Sequence, residues 1–492
     1  MPWIILRSLI RESRFSKVLN RSTSKGAARA FDLLESFALY ALAVATPLFA
    51  IPGVTEAYRT PKEALVRAAI ILYVTAWVLK RIWAEDLVAS LRALRGVPAF
   101  LPFTGLVIWT FLAGVLSPSS RSSTEIPLNI ALFYVFYGLS FLEWAPVLAR
   151  RWITLALVAG VFNGALMCIQ RAKIPLGGYL AYNMNMHERY RMGGLIGNPH
   201  DVGNYLALLF LLACAAVFIV RRWYWKALFL GALSLFALLL AWNETYTAIV
   251  ALLVALLSSC GLLALRRSAL RFPFAVLVII LFISGGTSAW HISKDPDARN
   301  RFARTFSALK AGDWNEFLHG RYIPWHMALE MIRDRPLWGH GPGIYGYLSF
   351  EYQIEFIRAH PQSRLRPEEA YFDQTHNDYL QDAAETGIPA LFLVGWIAVS
   401  YLRAANKALT HVPEGERPAA GPGSGARVQS QSLLPGYSVL PLLGIAFVVA
   451  MIIGGFAGFP FRLAITMSLF VPVAGMSLSR VTTNNEATDE HR

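Results

Sequence analysis

Apolar runs of about 20 residues recur along almost the whole chain, and they limit what it can fold into more than any other feature. They fall at 33–53, 64–82, 98–116, 126–147, 152–170, 202–220, 226–242, 246–265, 272–290, 386–403, 438–457 and 461–479. A helix crosses roughly 30 Å of hydrocarbon with about 20 such residues, since every backbone amide there must be paired within its own segment. The composition agrees: 55% hydrophobic and 15% charged residues leave too little polar surface to cover a soluble body of 492 residues. The expected fold is all-α, a polytopic membrane helical bundle of about twelve transmembrane helices with one large helical loop between spans 9 and 10.

The charge pattern orients this bundle. A net charge of +14 would suit a nucleic-acid binder if it lay on one polar face, but here it sits in clusters between apolar runs. Lys80/Arg81/Arg92/Arg95, Arg150/Arg151, Arg221/Arg222/Lys226, Arg266/Arg267/Arg271 and Arg403/Lys407/Arg417 occupy alternate connections, together with the basic first thirty residues. The positive-inside rule assigns these, and both termini, to the cytoplasm. Arg7, Arg11 and Arg14 interrupt any signal-peptide core, so the first helix is expected to stay as an anchor. Cys168, Cys214 and Cys260 all lie in apolar runs and read as small buried hydrophobes.

Four regions follow. Residues 1–290 hold helices 1 to 9 and an outer loop at 171–200; residues 291–385 form the large outer loop, expected to be catalytic. Residues 386–479 hold helices 10 to 12 around a Pro-, Gly- and Ser-rich linker at 411–436, and 480–492 form a cytoplasmic tail. Within the large loop, 321–334 has apolar spacing at Trp325, Leu329 and Ile332 that suits an amphipathic helix. The Arg335–Gly346 stretch must turn, and 374–386 reads as a short helix leading into the tenth span.

The strongest chemical constellation is His376-Asn377-Asp378-Tyr379 with Glu385, just outside the membrane. A histidine there can take a proton from a sugar hydroxyl, because its ordinary pKa near 6.5 lies close to operating pH. A hydrogen-bonded histidine at a helix end is the structural alternative. Arg321, Arg189 and Arg191 are planar forks suited to phosphate oxygens, although arginines beside an anionic membrane also contact lipid headgroups. Gly339-His340-Gly341-Pro342-Gly343 lacks the Lys-Ser/Thr of a phosphate-binding loop and reads as a turn. Asp295-Pro296-Asp297 could hold a divalent ion, but two acids at this spacing often occur by chance. His187, His319, His326 and His340 show no metal-ligand spacing, so neither metal nor cofactor is expected. Asp201, Arg67 and Glu143 lie near span ends and mid-depth positions are almost free of charge, which weighs against an ion-coupled transporter.

The chain resembles the O-antigen ligase and O-antigen polymerase superfamily of bacterial membrane glycosyltransferases. The likeness rests on the twelve-span plan and its large loop, and on two runs within that loop. These are Arg321-x3-Trp325-x2-Ala328-x7-Pro336-x2-Gly339-x-Gly341 and His376-Asn377-x-Tyr379-Leu380-x3-Ala384-Glu385-x-Gly387; Arg191-Met192-Gly193-Gly194 with Asn198-Pro199 also fits. The resemblance implies transfer of a glycan from an undecaprenyl-diphosphate donor to a lipid A-core hydroxyl on the periplasmic face of the inner membrane, without metal and with inversion. By this resemblance His376 is the catalytic base. Arg191, Arg321 and Arg189 bind the substrate diphosphate, and Asn377, Tyr379, Trp325 and Glu385 support the site. Family members often carry Ser-Arg at the start of the eighth span, whereas Glu244-Thr245-Tyr246-Thr247 stands here. An O-antigen or exopolysaccharide polymerase, a protein O-oligosaccharyltransferase and, in a different class, a lipid-linked-glycan flippase remain open.

Overall fold

The computed structural model describes residues 21–51, 56–144, 146–174, 192–220, 222–266, 303–304, 306–318, 320–361, 372–409 and 436–489. The described residues are helical, with no strand among them. Helices cover eleven of the twelve apolar runs, and the run at 272–290 lies outside the described residues. They are α1 (Arg21–Tyr40, continued by a π-turn and a last turn to Leu48), α2 (Thr60–Trp83), the short α3 (Leu87–Ala93), α4 (Phe100–Val115), α5 (Glu125–Glu143), α6 (Pro146–Arg171), α7 (Pro199–Ile219), α8 (Trp223–Asn243) and α9 (Tyr246–Arg266). Beyond them come α10 (Tyr322–Asp334), α11 (Tyr345–Ala359), α12 (Asp378–Thr386), α13 (Ile388–Ala408), α14 (Gly436–Gly455) and α15 (Ala464–Asp489). Among the described residues, seven helices are long and apolar enough to cross a membrane, or eight if α3 and α4, bent by 97° at their junction, are taken as one span.

The bundle is arranged around α7, two thirds of which is buried, against α6, α8, α9, α14 and α15. Helices in lipid gain little from hiding apolar area, so their contacts rely on close packing at small residues. At Gly160 of α6 a Cβ would come within 2.4 Å of Leu209 on α7, and at Gly475 of α15 within 2.3 Å of Ser140 on α5. Ala207, Ala213 and Ala216 line the buried faces of α7 in the same way.

The two ends of the bundle differ. At one end Lys80 of α2 bonds Asp32 at 2.9 Å and Glu35 at 3.0 Å on α1 and lies 3.6 Å from Glu143 at the end of α5. Arg81 pairs with the same Glu143 and with Asp86. At the other end the segment after Arg191 is fastened down: Gly194 N–H donates to Gln170 and Leu195 N–H to Asn163, both at 2.8 Å, while Lys62 donates to the Leu195 carbonyl at 2.7 Å.

Helices α10, α11 and α12 pack on this second end around a small core of Ile323, Met327, Met331, Ile344, Tyr345, Phe356 and Ala384. The amphipathic helix expected at 321–334 is α10, but its buried stripe differs from the expected one. Ile323, Met327 and Met331 face inward at a four-residue spacing, whereas Leu329 is 47% exposed. Both stripes are apolar at helical spacing, and the position of α11 decides which of them is covered.

Candidate functional site

Helix α12 begins at a cap that presents His376. The Asn377 side chain accepts from Tyr379 N–H at 3.0 Å and Leu380 N–H at 3.1 Å, satisfying amides that the first helical turn leaves unpaired. Thr375 braces the turn, its hydroxyl donating to the Asn377 carbonyl at 2.7 Å and accepting from Asn377 N–H at 3.0 Å. The Trp325 indole on α10 donates to the Thr375 carbonyl at 3.0 Å. Between these fixed points His376 takes a φ of +55°, a left-handed conformation that a side-chain-bearing residue adopts at a cost of about 1–2 kcal/mol. The result is an exposed imidazole on a buried, hydrogen-bonded mount. Partial burial and then the charge of Arg321, at the start of α10, hold its pKa below the ordinary value, while Asp373 acts in the opposite direction.

The inner face of α12 is acidic. Asp378, Asp382 and Glu385 share one side of the helix and all reach Arg462, in the turn between α14 and α15, at 3.4, 2.5 and 3.2 Å. The Asp378 and Glu385 side chains are 1% exposed. Phe461 N–H donates to Asp378 at 3.2 Å, and the Tyr379 hydroxyl donates to the Ile452 carbonyl at 2.7 Å. Burial, reinforced by Asp382, pushes Asp378 well above the usual carboxylate range, against the pull of Arg462. In the same turn Phe459 lies against the His376 ring, their centroids 5.3 Å apart, and Phe456 lies against Tyr379 at 4.7 Å.

The glycine-rich stretch is a turn, as its sequence indicates, and its amides are already used. His340 N–H donates to the Ala384 carbonyl at 3.0 Å, Gly341 N–H to that of Glu385 at 2.8 Å, and Gly343 N–H to the Glu385 carboxylate at 3.0 Å. Gly339 and Gly387 both have positive φ, and a Cβ on Gly387 would lie 2.0 Å from the Leu337 carbonyl oxygen. The turn rests on the α4–α5 connection: Ser117 donates to the His340 carbonyl at 2.6 Å, and Trp109, stacked on Trp338, donates to the Thr386 carbonyl at 2.8 Å. His340 is buried with its Nε2 3.1 Å from the Met331 carbonyl oxygen, a structural placement.

His376, Arg321, Trp325, Asn377, Tyr379 and Glu385 therefore come together at one end of the bundle, while Arg189, Arg191, His187, His319 and Asp295-Pro296-Asp297 lie outside the described residues. Among the described residues no group of acids, histidines and cysteines could hold a metal ion. Asn377 and Trp325 act on the backbone beside His376, while Tyr379 ties α12 to α14. Glu385 joins the glycine turn to Arg462 and to Gln381, 3.0 Å away. Sequence reading missed Arg462 and Phe459. A partial signal was present: acids at i, i+4 and i+7 share one helix face and favour a nearby cation, though nothing in their spacing points to Arg462.

Comparison with known families matches residues 231–395 to the model described as O-antigen ligase. The match runs from the middle of α8 to the first two turns of α13, with Arg321 and His376 inside it and Arg462 outside. No curated protein matches the chain.

Proposed function

Because the chain belongs to the O-antigen ligase superfamily, we propose that it is a ligase-type glycosyltransferase moving a glycan from undecaprenyl diphosphate to a lipid A-core hydroxyl. One observation carries this reading: an exposed imidazole on a rigid mount, its pKa held low by partial burial and by Arg321, beside an apolar bundle able to receive a lipid tail.

In this reading His376 is the general base on the acceptor hydroxyl, a role worth about 10²- to 10⁴-fold in rate. Its low pKa keeps it neutral, as a base must be. Arg321, with Arg191 and Arg189, grips the diphosphate and stabilises its charge as the glycosyl bond breaks, each charge-assisted hydrogen bond being worth roughly 1.5–3 kcal/mol. Trp325, Asn377, Tyr379 and Glu385 hold the mount. The acceptor hydroxyl attacks the anomeric carbon directly, so the product is inverted, and no metal takes part.

The same reading takes the chain as a twelve-span protein of the inner membrane, with 291–385 as the catalytic loop on the periplasmic side and both termini cytoplasmic. The basic connections and the Lys80–Glu143 end support that orientation.

The test is transfer by purified, reconstituted protein with EDTA present, from an undecaprenyl-diphosphate-linked glycan to lipid A-core. Metal-independent transfer that His376→Ala abolishes is the expected result. Donor glycans that lengthen while lipid A-core stays unmodified would replace the ligase with a polymerase. Folded protein with no glycan chemistry would overturn both.

A further inference from the structure

The turn between α14 and α15 lies more than sixty residues beyond the family match, yet it forms a wall of the His376 site. Two of its aromatic side chains touch the catalytic helix, Phe459 against His376 and Phe456 against Tyr379. What holds the turn there is polar. Arg462 reaches Asp378, Asp382 and Glu385 at 3.4, 2.5 and 3.2 Å, and Phe461 N–H adds a bond to Asp378.

We infer that Arg462 is a positioning residue for the proposed transfer reaction: by pinning the Phe456–Arg462 turn to α12 it sets Phe459 against the His376 imidazole and fixes where that ring points. The inference rests on His376 being the base. A single cation placed among three carboxyl groups has a mechanical consequence. A guanidinium presents several N–H groups in a rigid plane and can hold separate carboxylates at once, whereas an ammonium is a compact charge on a flexible stem. The acids occupy both turns of the short α12, so one side chain locks the whole helix, cap included, to the turn. Phe459 then closes one side of a ring whose own backbone is left-handed and held only by its neighbours. Misplacing a catalytic group by about 1 Å can cost on the order of 100-fold in rate.

Arg462→Lys keeps the charge and loses the fork; Phe459→Ala keeps the fork and loses the ring contact. The probe is diethyl pyrocarbonate, which modifies neutral imidazole, with the His376 peptide followed by mass spectrometry across pH, alongside kcat and donor KM for transfer. Both variants, checked for fold by size exclusion and thermal melting, are expected to shift the His376 modification midpoint upward, toward the ordinary histidine value. They are also expected to lower kcat about 10- to 100-fold with donor KM nearly unchanged. Folded variants that keep the wild-type His376 profile would overturn the inference. If wild type transfers no glycan, the proposed function fails, while the modification profiles still report whether Arg462 and Phe459 hold His376.

Discussion

His376 can accept a proton only while its imidazole is neutral, and the groups around it set the pH at which that ends. Partial burial and Arg321 lower its pKa, so the neutral form persists below about pH 6.5; with His376 as the proposed base, activity should be lost as pH falls through the folded-state value. Arg321→Gln removes a lowering charge and should move the acid limb of kcat/KM to higher pH. Asp373→Asn removes a raising one and should move the limb lower. Limbs that stay in place in both variants would show that neither charge acts on the base. Asp378 behaves in the opposite sense. Its folded pKa lies above the ordinary value near 3.8, so the folded state binds the extra proton and the contribution of Asp378 to stability declines as pH rises from about 3.8 through the folded value. Asp378→Asn should flatten that decline, measured as Tm against pH in detergent. An Asp378→Asn variant whose Tm–pH slope over the window matches wild type would contradict the assignment.

At the level of the element, α12 depends on what stops and starts it. Asn377→Ala removes both cap bonds and should cost about 0.5–2 kcal/mol, with Asn377→Asp recovering most of it. Gly387→Ala should be worse, because φ is +82° and the added carbon would strike the backbone of Leu337, which cannot swing aside. Thermal unfolding of the three variants gives the order; Gly387→Ala melting like wild type would mean that the turn opens freely. Much of α12 was legible in its sequence, since Asn377 before an acidic turn and Gly387 before Ile388-Pro389 mark a start and a stop within one short stretch. The buried face of α10 was not, because Leu329 and Met327 are equally apolar and only the placement of α11 chooses between them. Arg462 escaped notice for a related reason: its partners precede it by 77 to 84 residues, across α13, the linker and α14. Periodicity reports which face of a helix is apolar or acidic, but says nothing about which distant segment will cover it.

The whole molecule is a bundle with two chemically distinct ends, and their separation follows from the direction of a single helix. Glu143 closes α5 and meets Lys80 and Arg81; Ser123, just before α5 begins, donates to the Pro342 carbonyl in the turn that carries α12. A helix of 19 residues spans about 28 Å, close to the hydrocarbon thickness. The ion-paired end and the His376 end are therefore on opposite faces of any membrane that α5 crosses. The basic connections at 80–95 and 150–151 belong to the first face, which the proposed orientation, following the positive-inside rule, puts in the cytoplasm. This gives a prediction that needs no substrate. In a background with Cys168, Cys214 and Cys260 replaced by alanine, single cysteines at Ser120 and Asp373 should react with a membrane-impermeant maleimide in intact spheroplasts. Cysteines at Glu85 and Arg150 should react only after lysis. The reverse pattern would put His376 in the cytoplasm, where a periplasmic acceptor could not reach it. Labelling of all four sites in intact cells would mean that α5 does not cross the membrane.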